Sequence, residues 1–113
     1  GFLYKLSQPM LMVTREVKWV KRWVVLADDC IMYFNSRDDF TPKVRHRVDA
    51  IARINATSAS LVAPSTPVPA NTDDDHAFSV QFDFDEEWLF VVEGEIEYGE
   101  WRARLNAAIF SES

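Results

Sequence analysis

Between residues 76 and 85 the chain alternates without a break. Phe78, Val80, Phe82 and Phe84 take every second position, with Ser79, Gln81 and Asp83 between them. Strict period 2 predicts a half-buried strand, because successive side chains fall on opposite faces of a sheet. Shorter segments rich in β-branched and aromatic residues predict further strands at 2–6 (FLYKL), 18–26 (KWVKRWVVL), 30–34 (CIMYF), 43–50 (KVRHRVDA), 51–57 (IARINAT) and 88–92 (WLFVV). In 43–50, Val44, His46 and Val48 share one face, and Arg45 and Arg47 the other. Residues 27–30 read as a tight turn, and 35–42 as a loop from their Asn, Ser, Asp and Pro content. Residues 58–75, dominated by Pro, Ser, Ala and Asp, predict a flexible loop with room for a short strand near Leu61.

The period then changes. Tyr98, Trp101, Leu105, Ala108 and Ile109 recur at spacings of three and four, the apolar stripe of a helix. Glu93, Glu95, Glu97 and Glu100 crowd its start, where the helix dipole favours negative charge. Gly99 costs about 1 kcal/mol against Ala, so the helix is expected to start late or to rely on its packing. The order is seven strands and then one amphipathic helix. That is a mainly-β fold, a sandwich or partly open barrel with the helix suited to cover one end. Trp88 and Trp101 are expected in the core, Trp19 and Trp23 on the outside of the sheet.

Composition narrows the class. A length of 113 residues, 48% hydrophobic and 27% charged, fits one globular domain. The single cysteine, Cys30, cannot form an internal disulfide, which makes a cytoplasmic setting the default. No apolar run is long enough for a membrane span, and no signal peptide is visible. The abrupt start in a strand, GFLYKL, suggests a domain cut from a longer chain. Residues 1–53 hold ten Lys/Arg against six Asp/Glu, a balance of +4, whereas residues 54–113 hold two against twelve, a balance of −10. This asymmetry permits an anionic partner for the first half and equally a fold with a polar axis. A pI near 4.8 argues against nucleic acid.

Little points to catalysis. The chain has no paired carboxylates, Ser/His/Asp set or P-loop, and its three glycines leave little room for a phosphate cradle. His46 alternates with valines and reads as a partly buried strand residue. Asp73, Asp74, Asp75 and His76 read as solvated loop, as do Asp83, Asp85, Glu86 and Glu87 at a turn. Neither a metal nor a cofactor is expected, and the domain is expected to be monomeric.

The pattern of "GFLYK", "KRWVVL", "CIMYF", Pro42 after the third strand, and "EWRARLNAAI" with its helical Trp101 resembles a pleckstrin homology domain over essentially the whole chain. The resemblance implies a seven-stranded, strongly bent antiparallel sandwich capped by the helix. It implies no enzymatic activity, and an open end at which many members bind phosphoinositide headgroups while others bind proteins.

The alternation gives that end its residues. Lys5 shares a face with Leu3, Arg22 with Val24 and Leu26, and Tyr33 with Ile31, so two cations and a phenol can meet at one mouth. By resemblance, Lys5 and Arg22 match basic positions of headgroup binders, Tyr33 a phosphate-contacting tyrosine, and Lys43 a further cation. Val20 stands where such binders carry another basic residue. One charge-assisted hydrogen bond is worth about 1.5–3 kcal/mol, so weak attachment to an anionic lipid is the expectation. Lys18, Lys21 and Arg45 are accessory cations, since each Lys or Arg near an anionic leaflet contributes about 1 kcal/mol. Met10, Leu11 and Met12 lie in an apolar stretch between the first two strands and can act either as a membrane wedge or as a fold-back onto the barrel. The expected role is a peripheral module at the cytosolic face of a membrane. The alternative is a protein-interaction or scaffolding domain of the same fold.

Overall fold

The computed structural model describes residues 2–7, 18–59, 68–69, 72–73, 75–84 and 86–110, without the side chains of Ser7, Lys18 and Phe110. Its strands are β1 (Phe2–Ser7), β2 (Lys18–Leu26), β3 (Cys30–Phe34), β4 (Val44–Arg47), β5 (Ile51–Thr57), β6 (Ala77–Phe82) and β7 (Glu87–Val91). A short 3-10 turn (Val48–Ala50) joins β4 to β5, and helix α1 (Glu95–Phe110) ends the chain. All seven strands form one antiparallel sheet in the order β4-β3-β2-β1-β7-β6-β5.

The expected class, mainly β with a C-terminal helix, is the class observed. The limits of two expected strands are revised. The strand expected over 43–50 stops at Arg47, because Val48 N–H leaves the ladder and donates to Asp29 O at 3.0 Å. The alternating segment at 76–85 stops at Phe82, whose N–H donates to Glu86 O at 2.8 Å and closes a turn. Phe84 therefore sits in that turn and is exposed, although its spacing places it with the core. The helix begins at Glu95, ahead of Gly99.

The sheet curls on itself. Leu3, Val24, Ile31 and Tyr33 from its first half share a core with Phe78, Val80, Phe82, Trp88 and Phe90 from its second. Trp101 and Leu105 close this core from the helix, with Tyr98, Ala108 and Ile109 packed against it. The helix stripe read from the sequence is thus the buried face, and α1 packs on β5 and on the 3-10 turn. That turn is bonded to the β2–β3 turn, so the helix covers the end of the sheet remote from the β3–β4 loop. Ser79, expected at the solvated face, is buried. The reason is its central strand: a second cluster of Ala59, Ala77 and Val91, with Tyr4, Trp19 and Val68 against it, covers the outer face there.

Candidate functional site

Register fixes the open end. Lys5 lies opposite Val20, Leu3 opposite Arg22, and Val24 opposite Tyr33. Directly paired residues project to the same side of a sheet, so Leu3, Lys5, Val20, Arg22, Val24 and Tyr33 share the concave face. Leu3 and Val24 are fully buried, whereas Lys5, Val20 and Arg22, further along, are half-buried. The face therefore passes from core to mouth within two residues.

Tyr33 is the floor of the mouth. It is 7% exposed. The Lys5 ammonium lies 5.1 Å from its ring centroid, and its ring meets the edge of Trp88 at 5.1 Å. Lys43 is held to the same place from the next loop, since its N–H donates to Tyr33 O at 2.8 Å. Burial pushes the Lys5 pKa below its ordinary value; the Glu86 carboxylate opposes that shift, and Arg22 and Lys43 reinforce it. Burial likewise raises the Tyr33 pKa, so the phenol stays protonated and neutral. Lys5, Arg22, Tyr33 and Lys43, the four residues singled out from the sequence, are brought together.

Two of the accessory cations, Lys21 and Arg45, are not. Lys21 points to the convex face, its ammonium 4.6 Å from the Phe2 ring centroid. Arg45 also faces outward, where its guanidinium interacts with the Cys30 sulfur. Both follow from alternation: each is one position away from a residue that faces in. Lys18 begins β2, with its side chain outside the described residues, and Met10, Leu11 and Met12 lie outside them too.

Glu86 is the residue that the sequence reading missed. Its carboxylate accepts from Trp88 Nε1–H at 2.8 Å and from His46 Nε2. The His46 ring stacks on Trp88 at 5.1 Å and meets the edges of Phe82 and Phe84. A carboxylate thus stands in the field of Lys5 and Tyr33. The available signal was period 2, since Glu86, Trp88 and Phe90 share a face. Acids at a turn are otherwise read as solvated.

The other acidic segment lies elsewhere. His76 N–H donates to Asp73 O, and Val92 N–H to His76 O, so Asp73 and Asp75 stand at the far end of β7 from Glu86. Among the described residues no cluster of three or more His, Cys, Asp or Glu could hold a metal, and no helix is long and apolar enough to cross a membrane.

A family model described as PH domain matches residues 1–110. No curated protein sequence matches significantly. Among solved structures, the N-terminal PH domain of human ARAP2 is 25% identical, with 100% of this chain and 79% of that one covered at a TM-score of 0.62. A structure of sifa and skip matches at 19% identity, with 96% and 94% covered and a TM-score of 0.71. The Slm1-PH domain in complex with inositol-4-phosphate matches at 15% identity, with 96% and 92% covered and a TM-score of 0.64.

Proposed function

The chain belongs to the PH domain family, and from that premise we propose that it is a non-enzymatic recruitment module that binds phosphoinositide or another anionic phospholipid weakly at its open end. The observation that carries this reading is the Lys5 ammonium over the Tyr33 ring, with Arg22 and Lys43 in its field. A desolvated ammonium with two further cations in its field gains from any anion that enters, and a phosphate offers several acceptor oxygens at once. That a similar fold, the Slm1-PH domain, is seen with inositol-4-phosphate supports the same class of ligand. Weak binding follows from two features of the mouth: Val20 faces Lys5 where a cation would add a contact, and Glu86 already supplies a negative charge. The module would act peripherally, at the cytosolic face of a membrane.

Co-sedimentation with vesicles tests this, with and without phosphoinositide, at low and moderate salt. Binding that falls with salt and disappears in Lys5→Ala/Arg22→Ala is the expected result. No sedimentation at low salt, or undiminished binding by the double variant, defeats it. Glu86 favours a second reading, in which the open end meets a protein with its own cations; a protein partner retained by the double variant would support that instead.

A further inference from the structure

The carboxylate that opposes the mouth's cations is held by a histidine. Glu86 accepts from Trp88 Nε1–H at 2.8 Å and from His46 Nε2, and its negative charge acts on both Lys5 and Tyr33. His46 stands on β4 directly opposite Ile31 of β3, a core residue, and therefore faces inward. Its ring stacks on Trp88 at 5.1 Å and meets Phe82 at 4.8 Å and Phe84 at 4.9 Å. The His46 side chain is 20% exposed and that of Glu86 41%. The pair is thus fixed by its packing and still reached by water.

The elements around this ring bring it the following partners among the described residues. On β4 itself, Arg45 and Arg47 alternate to the convex face, where Arg47 bonds Asp49. From β3 come Ile31 and, beyond it, Tyr33, which is neutral because burial raises its pKa. From β6 comes Phe82, and from β7 Trp88, while Glu87 is exposed. The β6–β7 turn brings Glu86 and the exposed Asp83. Lys5 on β1 acts on Glu86 and has Arg22 and Lys43 in its own field. Glu86 therefore both bonds His46 and faces the mouth's cations.

We propose that His46 makes anion binding at the open end proton-dependent: a protonated ring neutralises Glu86 as an ion pair, and a neutral ring leaves that carboxylate to oppose an incoming phosphate. The inference rests on the lipid-binding reading of the open end and adds its regulation. Imidazole is the side chain whose charge ordinarily changes between about pH 5 and 8. No rearrangement is required, because Nε2 already meets the carboxylate; with Nε2–H donating, the second proton adds at Nδ1. The pair is then net neutral instead of net negative. Anion affinity rises as pH falls through the titration of the ring. By reciprocity, a bound anion makes the ring easier to protonate.

The test compares wild type with His46→Gln, which keeps a donor for Glu86 and cannot take up a proton. Binding to phosphatidylcholine vesicles containing phosphatidylserine and phosphoinositide is titrated at low salt, at about pH 5.5 and about pH 7.5. The ratio of the two affinities should be about fivefold larger for wild type than for the variant. Ionisation of the lipid and of every other side chain is common to both proteins and cancels in that comparison. Because His46→Gln also loses the stack on Trp88, a second measurement uses wild type alone. The titration of the His46 ring is followed by NMR with and without a saturating soluble inositol phosphate, and its midpoint should move to higher pH when the anion is bound. Equal affinity ratios for the two folded proteins, or an unmoved midpoint at saturation, would overturn the proton dependence and leave the lipid site standing. Failure of the wild type to bind these vesicles at either pH would remove the lipid reading and the proton dependence together.

Discussion

The Lys5 ammonium and the Tyr33 ring face each other across β2, 5.1 Å apart, on strands that are not neighbours in the sheet. The contact exists because β2 turns its Arg22 and Val24 side chains to the same concave face. The curl of the sheet brings the floor and the cation to one place. A cation over an aromatic face gains about 0.5–1 kcal/mol when exposed and more when desolvated, which offsets part of the burial of Lys5.

That burial makes stability depend on Lys5. Its folded pKa lies below its ordinary value of 10.5, first because of burial. Between those two values the unfolded chain binds more protons, so this group's contribution is unfavourable at neutral pH and improves as pH rises through the window. Tyr33 runs the other way, since its pKa is raised above 10.0: it favours folding below that value and loses the effect as pH rises through its folded pKa. Lys5→Met keeps the stem over the ring and deletes the charge. It should raise Tm at pH 7 and remove the alkaline gain, as read from wild-type and variant melts at pH 7 and pH 10. A lower Tm for the variant at pH 7 would show that the ammonium is well solvated after all.

Glu86→Gln keeps an acceptor for Trp88 Nε1–H and removes the negative charge from the mouth. One unit charge near an anionic surface is worth about 1 kcal/mol, so vesicle affinity should rise roughly fivefold at low salt. Titration of the same vesicles with both proteins decides it. Identical curves would place the lipid outside the field of Glu86.

Val20→Arg supplies a cation directly opposite Lys5. Inositol phosphate affinity, measured by calorimetry, should rise about tenfold through one charge-assisted hydrogen bond. Tm should fall, because the new guanidinium repels Lys5 and Arg22 when no anion is present. A variant that gains no affinity would argue against headgroup binding at this face.

Gly99 lies inside α1, and a Cβ there meets nothing within 4 Å. Gly99→Ala should stabilise the domain by about 0.5–1 kcal/mol through backbone entropy alone. Denaturant unfolding should show a higher midpoint and an unchanged slope. Because Gly99 is exposed and the helix lies at the end remote from the mouth, lipid binding should not change.

Seven strands and a closing helix were legible because their apolar spacing is strong: period 2 at Phe78, Val80 and Phe82, and three-and-four spacing at Trp101 and Leu105. The facing of Lys5, Arg22 and Tyr33 was legible for the same reason, since alternation along paired strands decides which side chains meet. Phe84 and Ser79 were misread because alternation does not say where a strand ends or whether its outer face is covered. Those facts depend on the Phe82–Glu86 bond and on Ala59 and Val68, which reach β6 from outside the local pattern. Glu86 was misread because its partner His46 lies 40 positions away, a separation that no local rule connects.

The position of β1 between β2 and β7 has a consequence for biosynthesis. Tyr4 of β1 pairs with Val91 of β7, the last strand to be made. While the nascent polypeptide leaves the ribosome, the hairpins of β1 to β4 can assemble at once, but one flank of β1 stays bare until β7 emerges. At about 5–20 residues per second that wait is on the order of ten seconds. For its duration the half-made sheet offers unpaired backbone to any passing strand.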